Sequence, residues 1–395
     1  MVHRFCEWAK EILKVDVEIF VSWSCPPDVS MLSSPGVSIL IRSERFDTLL
    51  VEYLHLKDAG RQRNSVVTEF LLPSAALRWM AEFLLGYRWP QAALYATVRA
   101  QELRTDRRPP NPFRDEILAS IDEVQRAALQ CFCLAHELGH LFPSQHDQIN
   151  LGARIDGLSL SRHIARDIEE AGMGDVADQM MDIAGSHIDA SVLLREIDAD
   201  LIAIELVAVF LANTLDVAPE TALRASLHAC EAQSFLYATK NTCQLLKKHA
   251  GRFQSREEFV RDDWIAGIQT SVRARCLLRR AGILLSRWCA GDQEQTASTI
   301  NRFVPLVDAM FSESSEFRGD LAVAAHREAE NLLSAVPAWN SDQNRDFFNP
   351  LIEAARQSSE IKEDLFHMLI AMGFPGDTNP VSWLEHLFEL QRAAV

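Results

Sequence analysis

Two histidines and a glutamate carry the first chemistry visible in this chain: His136-Glu137-Leu138-Gly139-His140, an H-E-x-x-H pentapeptide. At a spacing of four, the imidazoles lie one turn apart on the same helical face and can share one metal ion. Glu137 then leans beside that ion as a general base. The run before it, Ala127 to Ala135, has Gln130 as its one polar residue, so the spacing predicts a helix enclosed on most sides. Imidazoles and a carboxylate in such a place need a partner, because buried polar groups are costly when unsatisfied. A metal ion would be one. A helix whose polar residues face some other polar neighbour is the competing account, less favoured than a metal site, and a third ligand has to decide.

Catalytic zinc takes three protein ligands and keeps a position for water. Glu196, in Arg195-Glu196-Ile197-Asp198-Ala199-Asp200, is the first candidate. It lies in an expected helix from about Ala190 to Thr214, with Asp189 available as N-cap. Glu196 and Asp200 share a face, and Ala199, Ala203 and Gly139 are small enough to let two helices approach closely. Glu196 would bind the metal, and Asp200 would hold the second ring nitrogen of a ligating histidine. The competing account, a solvated acidic first turn favoured by the helix dipole, fits poorly with the apolar run Leu201 to Leu215 that follows. His146 is the second candidate, giving H-E-x-x-H-x-x-P-x-x-H. The metzincin pattern has glycine where this chain has Pro143, whose fixed φ cannot copy the glycine backbone. Glu196 is therefore preferred, and Pro143 is expected to stop the first helix.

The pair of motifs, His136-Glu137-x-x-His140 and Glu196-x-x-Ala199-Asp200, resembles the gluzincin pattern H-E-x-x-H followed by E-x-x-A-[DN]. The likeness covers about Ala127 to Leu215. It is similar to soluble peptidases of the ImmA/IrrE kind, to Lit-like phage-exclusion peptidases and, more distantly, to HtpX-type proteases. The resemblance implies a zincin-like core, a zinc ion on His136, His140 and Glu196, and Glu137 as the base. It also implies narrow specificity for one cytosolic protein in regulation, stress or anti-phage defence. The stretch between His140 and Glu196 is long for the compact members.

These residues need elements to position them. The chain has 395 residues, 48% of them hydrophobic, enough for two or three domains. The expected fold is mostly α (α+β), with a small N-terminal β element and a helical C-terminal region. The boundaries are an N-terminal mixed region 1–108, a catalytic core 115–250 with an insert 142–189, and a helical domain 251–395. Phe5 to Leu13 reads as a short helix, and Val15 to Trp23 and Val37 to Arg42 as strands. Cys25-Pro26-Pro27-Asp28 and Ser33-Ser34-Pro35-Gly36 read as turns. An extended substrate could lie along one of these strands. Helices are expected at Pro73 to Gly86 and Pro90 to Arg104, then the arginine- and proline-rich linker Arg104 to Arg114, then the His136 helix from near Asp115. Beyond Thr214 the pattern is almost wholly helical, from Pro219 to His249 and on through Glu257 to Cys289, Glu294 to Phe311, Glu316 to Ala335, Pro350 to Met372 and Val381 to Arg392. Arg273, Arg275, Arg279 and Arg280 form a basic cluster. One of these, His228 or Tyr237 could stabilise the oxyanion, although surface pairing with the abundant acids is the better account of the arginines.

Composition narrows the class. A net charge of −16 disfavours nucleic-acid binding. No apolar run is long enough for a membrane span. Met1 to Lys14 lacks the layout of a secretory signal, and the eight cysteines are scattered in apolar patterns, Cys131 and Cys133 among them. Reduced thiols in the cytoplasm are the simplest account. The expected activity is zinc-dependent endopeptidase cleavage of a protein or peptide substrate, with segment 142–189 as a lid that an activating or inhibiting protein partner would move. The alternative is a non-catalytic helical interaction protein whose metal is structural or absent.

Overall fold

A computed structural model of the chain describes residues 1–14, 17–22, 29–34, 37–60, 71–87, 89–105, 122–141, 190–250 and 320–335, with isolated positions between 273 and 382. In chain order its elements are α1 (Val2–Leu13), β1 (Val17–Ser22), β2 (Val29–Ser34), β3 (Val37–Ser43), α2 (Glu44–Gly60), α3 (Leu72–Gly86), α4 (Pro90–Thr105), α5 (Glu123–Gly139), α6 (Ala190–Leu215) and α7 (Pro219–Ala250). Residues 320–335 form a further helix. The described protein is mostly helical, with the β structure confined to the N-terminal part, as the sequence pattern predicts. No described helix is long and apolar enough to cross a membrane.

The start of α5 is set by Asp122. Its backbone is extended, with φ −53° and ψ 141°, and its side chain accepts a hydrogen bond from the Val124 amide at 3.4 Å. Glu123 follows in the first turn, where the helix dipole favours a carboxylate. The sequence reading started this helix near Asp115; the non-helical backbone at Asp122 corrects that, and Asp115 itself lies outside the described residues. At the other end the helix stops at Gly139, where the His140 amide turns back to the Glu137 carbonyl. It therefore ends before Pro143, which also lies outside the described residues.

Two elements escaped the sequence reading. β2 is short, and its terminal serines, followed by Pro35-Gly36, read as a turn. The register pairs Ser34 with Val37, so β2 and β3 form an antiparallel hairpin with a two-residue connection. β3 is the central strand, with β1 parallel to it on the other side. The second missed element, α2, begins directly after β3. Its buried residues Phe46, Leu49, Leu50, Tyr53, Leu54 and Lys57 recur at helical spacing, so the signal was present in the sequence.

Packing explains how the site helices are held. Buried apolar side chains form one cluster running from Phe5 to Leu332. α5 packs most extensively on α6, and α7 lies against both; α1, α2 and β2 also touch α5, and α2 and α3 pack on α7. Phe5 of α1 meets Phe210 of α6 edge-on at 5.2 Å, and Tyr53 of α2 stacks on Phe235 of α7 at 5.3 Å. Residues Ala127–Leu129, Cys131–His136, Leu138 and Gly139 are all buried, as the apolar run predicts. The α5–α6 crossing is tight. A Cβ on Gly139 would lie 2.8 Å from the Ala199 Cα and 2.9 Å from its carbonyl oxygen. Glycine is what allows the backbones this close, and Ala199 is the matching small residue.

Candidate metal centre

That close crossing brings two functional faces together. His136 projects from the last turn of α5 and His140 from the position that caps its end, and Glu196 and Asp200 from adjacent turns of α6. His136 Nε2 lies 3.2 Å from His140 Nε2 and 3.4 Å from Glu196 Oε2, and His140 Nε2 lies 3.5 Å from Glu196 Oε1. The group His136, His140 and Glu196 could hold a metal ion, with its ligand atoms all within 4.8 Å of one another. Four-coordinate zinc with bonds of about 2.0–2.1 Å keeps its donors roughly 3.3 Å apart, so both the donor types and their spacing fit. His140 and Glu196 keep 26% and 32% of their side-chain surface while His136 keeps 2%, so the group opens toward solvent on one side. Among the described residues the ligand group stops at three.

Asp200 occupies the place expected for it. Its Oδ1 lies 2.8 Å from His136 Nδ1. A carboxylate only accepts, so Nδ1 must carry the proton and Nε2 of the neutral ring presents a lone pair toward the other donors. Asp200 is kept ionised although burial opposes it: the charge of Arg273 and the His136 hydrogen bond hold its pKa down at about 2. Burial also opposes protonation of His136, but its bonds to Asp200 and Glu196 overcome this and lift its pKa to about 9. The pKa of His140 moves the other way, lowered by burial and then by the neighbouring His136 charge. Glu196 is depressed against the pull of burial by its hydrogen bond to His136 and the charge of Arg273. Without a metal, then, His136 is the charged ring of the group, its Nδ1–H facing Asp200 and its Nε2–H facing Glu196, while His140 stays neutral.

Arg273 corrects one expectation. It belongs to the basic cluster read as surface arginines, yet only 12% of its side chain is exposed and it sits behind the site. Its Nε and Nη2 donate to Asp200 Oδ2 and Oδ1 at 2.8 and 3.0 Å, and Nη1 lies 3.5 Å from Glu196 Oε2. A planar guanidinium matches a carboxylate in this bidentate way, which lysine cannot. No spacing rule links positions 200 and 273, so nothing in the sequence could have paired them.

The three oxyanion candidates among the described residues, Arg273, His228 and Tyr237, separate. The Tyr237 hydroxyl lies 3.4 Å from Glu137 Oε1, and its ring centroid is 6.1 Å from that of His136, so it stands at the site. Arg273 is committed to Asp200. His228 belongs to another cluster: its Nδ1 lies 3.3 Å from Lys57 Nζ, which donates to Glu231 at 2.8 Å, and the Tyr53 hydroxyl donates to the same carboxylate at 2.9 Å. Cys131 and Cys133 are core residues, as expected. His146, Asp189, Arg275, Arg279, Arg280 and the whole insert 142–189 lie outside the described residues. In comparisons with known proteins, no family model, no curated protein and no solved structure matches this chain.

Proposed function

We propose that this chain is a zinc-dependent endopeptidase of the gluzincin type, with a zincin-like core formed by α5 and α6 and a cytoplasmic protein or peptide as its substrate. One observation carries the reading: two imidazole nitrogens and a carboxylate stand at tetrahedral donor spacing, with Asp200 fixing the histidine tautomer behind them. His136, His140 and Glu196 would hold the ion. Zinc at such a site acts as a Lewis acid, lowering the pKa of a coordinated water and polarising a carbonyl.

The remaining steps belong to the protein's own side chains. Glu137 Oε1 or Oε2 takes the proton of the attacking water and returns it to the leaving amine, the general base becoming general acid. Tyr237 donates its one O–H to Glu137 in the free site and, as the proton moves onto that carboxyl, turns it to the developing oxyanion. Asp200 and Arg273 keep the ligand set rigid. β2, an edge strand of the described sheet in contact with α5, offers a backbone ladder to an extended peptide.

The second reading is a helical interaction protein with a structural metal. The partial exposure of His140 and Glu196 speaks against a closed, four-ligand site and favours an open position for water. The deciding experiment is elemental analysis of purified wild type beside Glu196→Ala, together with a peptide-library assay of wild type and Glu137→Gln. About one zinc per chain, lost in Glu196→Ala, with turnover abolished in a zinc-replete Glu137→Gln, is the expected result. Zinc retained in Glu196→Ala moves the third ligand to His146; wild-type turnover in Glu137→Gln removes the mechanism.

A further inference from the structure

α7 presents a stripe to the metal centre that the mechanism uses only in part. Cys230, Gln233 and Tyr237 follow one another at i, i+3 and i+7, hence on one helical face. Both ends of the stripe meet the site. Tyr237 reaches Glu137, and the Cys230 thiol, raised in pKa by its burial, also feels the charges of Asp200 and Arg273. Gln233 lies between them, 1% exposed, and neither its amide nitrogen nor its amide oxygen has a hydrogen-bond partner. An amide buried with both ends unmet is costly and uncommon. Its neighbours on the stripe do not share the problem.

We propose that Gln233 reads a peptide group of the substrate, its amide nitrogen donating to a substrate carbonyl and its amide oxygen accepting from a substrate N–H. A primary amide carries the same donor and acceptor pair as a peptide bond, so one side chain can satisfy one backbone group of any sequence. The cost of the unmet amide is then recovered only when substrate is present. Substrate recognition one turn along α7 from Tyr237 would align the scissile bond with Glu137. The inference rests on the peptidase reading above, and its test separates the two.

The experiment uses the zinc-loaded full chain and two metal-directed probes, acetohydroxamate and a hydroxamate-capped dipeptide, with binding measured by calorimetry on wild type and Gln233→Met. The expected result is tighter binding of the dipeptide probe by wild type, a loss of that probe by roughly 10–100-fold in Gln233→Met, equivalent to two hydrogen bonds, and unchanged acetohydroxamate binding. The unfolding temperature of Gln233→Met should rise, since methionine fills the volume without an unmet polar group. A fall in unfolding temperature, equal loss of both probes, or dipeptide binding at wild-type strength overturns the role of Gln233. Wild type that binds acetohydroxamate no more weakly than the dipeptide probe also overturns it and leaves the metal site standing. Wild type that binds neither probe removes the peptidase reading and this inference with it.

Discussion

Gly139→Ala is the sharpest perturbation of the reasoning that links packing to metal binding. The added Cβ would lie 2.8 Å from the Ala199 Cα, whereas ordinary van der Waals contact begins at 3.4 Å. The helices must therefore separate by about 0.6 Å at the crossing, because neither the Ala199 Cα nor its carbonyl can rotate away. Overpacking of this kind costs about 1–3 kcal/mol. Alanine's helix propensity offsets less than about 1 kcal/mol of that, since Gly139 is the last helical residue of α5. A net loss of about 1–2 kcal/mol in stability follows. The larger effect is on the ligand set. His136 and His140 ride on α5 and Glu196 on α6, so their separations of 3.4 and 3.5 Å widen with the crossing. Zinc bonds tolerate about 0.2 Å, so zinc affinity should fall by about 10–100-fold. The assay is chelator competition for zinc, with denaturant unfolding alongside. Ala199→Gly in the same chain should not rescue the variant, since the nearest clashes are with backbone. Wild-type zinc affinity in Gly139→Ala would refute the argument that this close approach builds the site.

Asp200→Asn keeps the shape but weakens the hold on His136 Nδ1; zinc affinity should drop by about 10–100-fold, read by the same competition. Arg273→Ala leaves the ionised Asp200 buried without its guanidinium, and denaturant unfolding should show a loss of about 3–5 kcal/mol. In protein stripped of metal, His136 stays protonated up to about pH 9, so binding zinc below that pH must expel one proton. Zinc affinity should therefore climb about tenfold per pH unit from neutrality and level off near pH 9; a flat profile would count against the proton on His136. The same proton stabilises the stripped fold: its folded pKa lies above the unfolded 6.5, so the contribution is complete below 6.5 and is lost as pH rises through about 9.

How much of this was written in the chain can be judged residue by residue. The faces of α5 and α6 were legible, because an i, i+4 spacing fixes which side chains share a helical face whatever the helix later touches. His136 with His140, Glu196 with Asp200, and the small Gly139 and Ala199 follow from that local geometry and from apolar flanks that demand burial. α2 was legible and overlooked, its period standing plainly in Phe46, Leu49, Leu50, Tyr53 and Leu54. β2 was not, since a short strand ending in serines and a Pro-Gly pair carries the same local signal as a turn. Only the tertiary structure decided what meets across those faces. The 3.2–3.5 Å donor spacing depends on how closely two helices cross, Arg273 reaches Asp200 from 73 residues away, and Tyr237 reaches Glu137 from 100. Contacts between residues that far apart carry no periodicity, because they are set by the packing of a whole core and not by the backbone's local repeat.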